Sequence, residues 1–369
     1  YTKLKNLKIT GQINKADFDF MREKMEMLQT LNLKNVKIKA LEGYKKDEIP
    51  SEAFINKSSL TNLVLPDTLR AINDNAFNSC SSLSGSLIIP EGVQEISKGA
   101  FWGCNSYNGS LSLPSTLRRI GDIKGYNSYW DGPFAGCRFA CELVLPENLE
   151  ILGVGAFRDN ANLRGSVRLP ENLKYLGEGC LSGNPNLTGS IEIPQGVTEI
   201  PENCFTNSSF DGTLTLHNGI TAIGRNAFSG CHFKGELVLP KNIVTILDGA
   251  FYGNDFSGTL VIPQHIRSIG AHAFSYNWRL MGILEFPEGL ESIGSGAFAH
   301  CRSIEGLVFP ESMETICREP SWNEDGGAFQ GCYGIGSIIC KGEMPPYVQT
   351  GAFDGVAKDN FTLEVPESA

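Results

Sequence analysis

The chain has 369 residues, 41% of them apolar and 20% charged, with 31 Lys and Arg against 41 Asp and Glu for a formal charge of −10. That balance suits a folded, water-soluble chain and sets up no field attractive to phosphate backbones, so nucleic acid is not an expected partner. No stretch approaches the roughly 18 consecutive apolar residues of a membrane span, and the first residues, YTKLKNLKIT, lack the apolar core of a signal peptide.

In chain order, LKNLKIT reads as a strand. Ala16 and Asp17 open a helix through about Leu28 with Phe18, Met21, Met25 and Leu28 on one face, and LQTLNLKNVKI returns to strand alternation. This strand-helix-strand segment, residues 1–45, is the expected N-terminal cap of a repeat array. From residue 46 to 369 the chain is self-similar. Aligned on an Ala-Phe pair, units read LPDTLRAINDNAFNSC, IPEGVQEISKGAFWGC, LPENLEILGVGAFRDN and FPEGLESIGSGAFAHC. The phenylalanine position recurs at Phe54, Phe77, Phe101, Phe134, Phe157, Leu181, Phe205, Phe228, Phe251, Phe274, Phe298, Phe329 and Phe353. These are about thirteen repeats, spaced 23 or 24 residues except where insertions at 121–132 and 318–327 stretch the interval to 33 and 31.

Each position has a physical reading. Before the proline, apolar residues alternate (Leu143 and Leu145, Leu237 and Leu239), which predicts a short strand with one buried face. Proline has no N–H to continue a ladder and ends the strand; His217 takes its place once. Four residues before the alanine comes Ile or Leu, often followed by Gly. The Ala-Phe pair then plugs the core, with single helical turns expected around it. One unit cannot bury its own apolar face, whereas stacked units cover one another.

The recurring LxLPxxLxxIGxxAFxxC pattern resembles the repeat of the BspA-like leucine-rich-repeat family of bacterial surface proteins, over about residues 46 to 366. The resemblance implies a β-rich leucine-rich-repeat solenoid, with parallel strands stacked one per 23–24-residue repeat. It also implies an extracellular or cell-surface setting, with a signal or lipid anchor trimmed away. The activity it implies is non-enzymatic adhesion to a protein partner, such as a host or matrix protein. The family pattern names core positions and supplies no catalytic residues.

Other motifs dissolve into the repeat. GSGAFA at 294–299 fits a dinucleotide fingerprint, but LGVGAF and LGEGCL occupy the same place in other units. Cys231-His232 and His300-Cys301 suggest a thiol-imidazole pair, yet adjacent residues in an extended chain point apart. No catalytic, cofactor-binding or metal-binding residues are expected. The position four after the alanine carries Cys80, Cys104, Cys137, Cys231, Cys301 and Cys332, or Asn160, Asn184, Asn254 and Asn277. Such interchange is expected of a small polar side chain that satisfies buried backbone groups in each turn. Among the eleven cysteines, Cys317, Cys332 and Cys340 are the best candidates for a disulfide, and Cys141 stands where other units have glycine.

Two surfaces are candidate recognition sites. The insertions bring Tyr126, Tyr129, Trp130 and Trp322 onto expected surface loops, either to bind a ligand or to cover the solenoid's flank. Outward residues of the pre-proline strands form the other, with Arg168 and Glu192 in a polar middle and Val238 and Val261 in a valine-rich second half suited to a partner or to self-association. A glycan-binding module is the alternative reading, favoured by Trp and Tyr able to stack on sugar rings.

Overall fold

A computed structural model describes residues 1–41, 43–123, 131–317, 326–356 and 361–367. The chain forms two compact units, Tyr1–Thr188 and Gly189–Ala369, each a parallel β-solenoid.

The first unit opens with β1 (Asn6–Ile13), α1 (Lys15–Lys24) and β2 (Thr30–Ile38); β1 lies parallel to β2, and β2 to Asn62–Val64. A capping box starts α1: the Asn14 side chain accepts from Ala16 N–H, and Asn14 N–H donates to Asp17 Oδ2. The helix stops about a turn earlier than the apolar spacing predicts, and Met25 and Leu28 are buried in the turn that follows. Lys57 supplies the stop. Its ammonium donates to the Arg22 carbonyl at 2.9 Å, satisfying one of the last carbonyls of the helix. Phe18 meets Phe54 edge to face at 5.8 Å, so α1 packs on the first ring of the core.

Most of the described coils contribute two strands, one more than the sequence pattern reveals. The more regular are two-residue strands ending on the Ile or Leu four before the alanine. In the first unit Glu48–Ile49, Ala71–Ile72, Glu95–Ile96, Arg119–Ile120, Ile151–Leu152 and Tyr175–Leu176 form a six-stranded sheet. In the second, seven such strands run from Glu199–Ile200 to Tyr347–Val348. In register, Ile sits over Ile (Ile49↔Ile72, Ile72↔Ile96), and all of these are buried. A strand of two residues has no alternation to detect, which is why it escapes pattern reading.

The pre-proline strands are less continuous than their alternation predicts. Leu143 and Leu145 are buried in a segment with only a bridge, Glu142 to Arg164. In the second unit the same position builds a six-stranded sheet that includes Arg279–Glu285 and Ser303–Phe309. A register shift falls between Gly282 and Ile283, where Gly282 has φ of +77°, the left-handed conformation of a glycine bulge.

The Ala-Phe segments are linked turns rather than the helical turns expected. Alternate amides close inward and outward: Ala76, Asn78 and Cys80 N–H donate to carbonyls three residues back, whereas Asn75, Phe77 and Ser79 N–H donate to Lys98, Ala100 and Trp102 of the next coil. Every second amide is thereby spent on stacking, which a continuous helix would not permit. Inside, the phenylalanines form columns. Phe54, Phe77, Phe101, Phe134 and Phe157 stack at 5.1–5.5 Å, and Phe205, Phe228, Phe251, Phe274, Phe298, Phe329 and Phe353 at 5.2–5.6 Å. The pairs Phe101–Phe134 and Phe298–Phe329 keep that spacing although each spans an insertion.

Candidate functional site

The cysteine and asparagine positions are structural. Cys80, Cys104 and Cys137 donate through Sγ to the carbonyls of Phe54, Phe77 and Phe101 at 3.1 Å, and Asn160 and Asn254 donate through Nδ2 to those of Phe134 and Phe228 at 2.7 and 2.8 Å. One donor per coil reaches the phenylalanine carbonyl of the coil before it, so thiol and amide interchange. All eleven cysteines are free thiols, Cys317, Cys332 and Cys340 among them. Cys317 Sγ accepts from Ala328 N–H. Cys141 Sγ accepts from Leu111 N–H at 3.4 Å, and its φ is not in the left-handed range that the equivalent Gly165 adopts at +77°. A side chain is therefore tolerated at that glycine position.

No thiol-imidazole pair forms at the Cys-His neighbours. Cys231 and Cys301 are fully buried, donate to Phe205 and Phe274 carbonyls, and burial pushes both thiols well up, the opposite of an activated nucleophile. His217 fills the proline position structurally: Nδ1 accepts from Gly219 N–H, which leaves the proton on Nε2 to face the Pro194 and Val197 carbonyls at 3.0 Å. GSGAFA is a turn of the repeat, with Gly296 at φ +65°. Among the described residues, no group of three or more His, Cys, Asp or Glu is arranged to hold a metal ion, and no helix is long and apolar enough to cross a membrane. An apolar hollow of about 640 Å³ at Phe309, Ile338, Phe353 and Leu363 continues the core past the last coil.

The surface is where the coils differ. In the first unit the outward row comprises Ile88, Ser112, Val144 and Arg168, all exposed. Arg168 is occupied by its own neighbours, Glu147 at 2.8 Å and Glu171 at 3.1 Å, exposed pairs that contribute little to stability. In the second unit Glu192 lies opposite Thr215, both exposed. Further along that unit, Val238 and Val261 are 62% and 72% exposed. Val261 separates two shallow depressions. One, of about 490 Å³, is lined by Val238, Lys241, Thr259 and His265; the other, of about 750 Å³, by His265, Ile283, Glu285 and Glu288. Lys341 reaches Glu285 at 3.1 Å across the rim of the second. Aliphatic ridges rimmed by charges of both signs are a composition suited to protein contact.

Sequence reasoning missed part of this surface. Arg279–Glu285 is a longer strand than expected, and it turns Met281 and Ile283 outward beside Glu285. The signal was present as alternation in RLMGILE, interrupted by its glycine. Trp278 and Tyr333 are also exposed, from a position that carries His, Asp or Ser in other coils. Tyr126, Tyr129, Trp130 and Trp322 lie outside the described residues.

Comparison with known proteins follows the same lines. The family model described as BspA type leucine rich repeat region matches residues 47–129, 130–257, 212–336 and 256–365. A leucine-rich repeat protein from Bacteroides ovatus has a similar structure, with a TM-score of 0.52 and 23% identity over 87% of this chain and 88% of that one. A leucine rich cell surface protein from Faecalibacterium prausnitzii gives a TM-score of 0.47 and 21% identity, covering 89% of this chain and 83% of that one. No curated protein matches the sequence. With matched segments extending from residue 47 to 365, the chain belongs to the BspA-type leucine-rich-repeat family.

Proposed function

We propose that the chain is a non-enzymatic, cell-surface binding protein that holds a protein partner, such as a host or matrix protein, on the outward face of the pre-proline strands in its second unit. The observation that carries this reading is the exposed pair Val238 and Val261, each beside a charged depression. Leaving these valines in water is unfavourable by about 25 cal/mol per Å² of apolar surface, and a partner that covers them recovers that free energy. The non-enzymatic part is supported by the thiols, which serve the backbone, and by His217, which is tied to carbonyls. A surface setting is supported by family membership. Residues 1–45 act as the cap, supported by the packing of Phe18 on Phe54 and the Lys57 bond to Arg22. Glycan binding is the second reading, favoured by Tyr126, Tyr129, Trp130 and Trp322 in the insertions.

The test is a pull-down from host extracellular proteins run beside a glycan array, each with wild type and with Val238→Asp/Val261→Asp. A protein captured by wild type and released by the double variant supports the proposal. Signal on glycans alone, lost in Tyr129→Ala/Trp130→Ala, supports the second reading instead.

A further inference from the structure

Three successive coils of the second unit carry Trp278, Arg302 and Tyr333, each four residues after its core phenylalanine (Phe274, Phe298, Phe329). The Arg302 guanidinium lies between the two rings, 5.6 Å from the centre of Trp278 and 5.9 Å from that of Tyr333. All three are exposed, Trp278 by 51% and Tyr333 by 58%. Among the described residues Arg302 forms no ion pair with a carboxylate, whereas Arg22, Arg118, Arg119, Arg158, Arg168 and Arg225 each do. We infer that Trp278, Arg302 and Tyr333 form a carboxylate-binding anchor for an acidic side chain on the protein partner, an inference that rests on the protein-binding reading above.

The geometry supports that chemistry. A guanidinium held between two rings has already given up much of its rotamer freedom, and its N–H edge stays open to accept a carboxylate in the bidentate manner. The supports are fixed as well: Ser303 Oγ donates to the Trp278 carbonyl at 2.9 Å, and Tyr333 packs close to the backbone of Gly355, where even an added Cβ would lie 3.1 Å from Cε1. Arg279 adds a second exposed positive charge next to Trp278. Trp, Arg and Tyr together are the residue types that dominate protein interfaces. A glycan is the weaker candidate for two reasons. The ring faces that turn toward Arg302 are taken by it, which leaves less open face for sugar stacking. A chain of net charge −10 also repels polyanionic glycans at long range, whereas one carboxylate flanked by apolar groups needs only the local site.

The experiment is fluorescence polarisation with the full chain and a labelled peptide carrying one Glu between two Leu, the same peptide with Gln, and a labelled hyaluronan oligosaccharide. The expected result is that the Glu peptide binds at least about tenfold more tightly than the Gln peptide. Arg302→Lys, which keeps the charge and loses the fork, and Trp278→Ala should each remove about tenfold, with thermal melts coincident with wild type. Equal binding of the two peptides, no effect of Arg302→Lys, hyaluronan binding without peptide binding, or no peptide binding at about 1 mM would each overturn the inference. Ser112→Asp, on the outward row of the first unit, should leave peptide binding unchanged. Loss of partner capture by Val238→Asp/Val261→Asp, together with failed peptide arms, would sink the anchor and spare the protein-binding reading; the reverse pattern would spare the anchor.

Discussion

The inside of each coil and the outward face of its pre-proline strand obey different rules. Inside, one solution is repeated: a phenylalanine on the column, an isoleucine or leucine in the two-residue strand, and a thiol or amide on the preceding phenylalanine carbonyl. Outside, no two neighbouring coils of the first unit agree (Ile88, Ser112, Val144, Arg168), and in the second Glu192 and Thr215 give way to Val238 and Val261. Residues that must match the coil above and below cannot vary independently, because close packing transmits any change in volume. Residues facing water are free of that constraint. The lesson is that repetition marks the scaffold, and departure from repetition marks where recognition is to be sought.

The sharpest way to break the comparison is to exchange single residues on its two sides. Phe134→Ala, which removes a fully buried ring stacked on both sides, is expected to cost about 3–5 kcal/mol, read from urea unfolding. Val261→Ala on the outward row should stay within about 0.5 kcal/mol. A comparable loss at both would mean that the outward valines are part of the scaffold.

Next in size is the donor column. Cys104→Ala leaves the Phe77 carbonyl without its side-chain donor and is expected to cost about 1–3 kcal/mol, whereas Cys104→Asn restores a donor of the kind used at Asn160 and should cost clearly less. Equal losses for the two would remove the physical reason for the interchange.

The same column makes stability depend on pH. Burial holds Cys80 and Cys332 up at about 12, and pushes Cys104, Cys137, Cys231 and Cys301 up as well. Each folded pKa lies above its unfolded value near 9, so the folded state binds more protons between the two. Stability from these groups is complete below about pH 9 and is lost as pH rises toward the folded value. Urea midpoints at pH 8 and pH 10 check this, and Cys→Asn replacements should flatten the slope. The smallest expected effect is on labelling: under native conditions a maleimide should modify the half-exposed Cys141 and Cys340 and spare the nine buried thiols until the chain unfolds.

Much of the scaffold was legible in the sequence because its constraints repeat. The Ala-Phe spacing located the phenylalanine columns, and the Cys/Asn interchange located the donor to the backbone. The two-residue strands were not legible, since Ile72 or Ile246 carries no periodicity of its own and gains meaning only from its partner one coil away. The end of α1 was misjudged for a related reason: Lys57, 35 residues distant, takes the Arg22 carbonyl. On the surface, alternation pointed to Val238 and Val261. Trp278, Arg302 and Tyr333 could not be found that way, because their proximity comes from equal positions in three coils, one of them across an insertion.

The most direct test of the central claim is partner capture measured with four proteins in parallel: wild type, Val238→Asp/Val261→Asp, the control Ser112→Asp on the outward row of the first unit, and Arg302→Lys. The account predicts that host extracellular protein is captured by wild type and by Ser112→Asp, is lost with Val238→Asp/Val261→Asp, and is reduced with Arg302→Lys. Capture that persists undiminished in the double valine variant would contradict it.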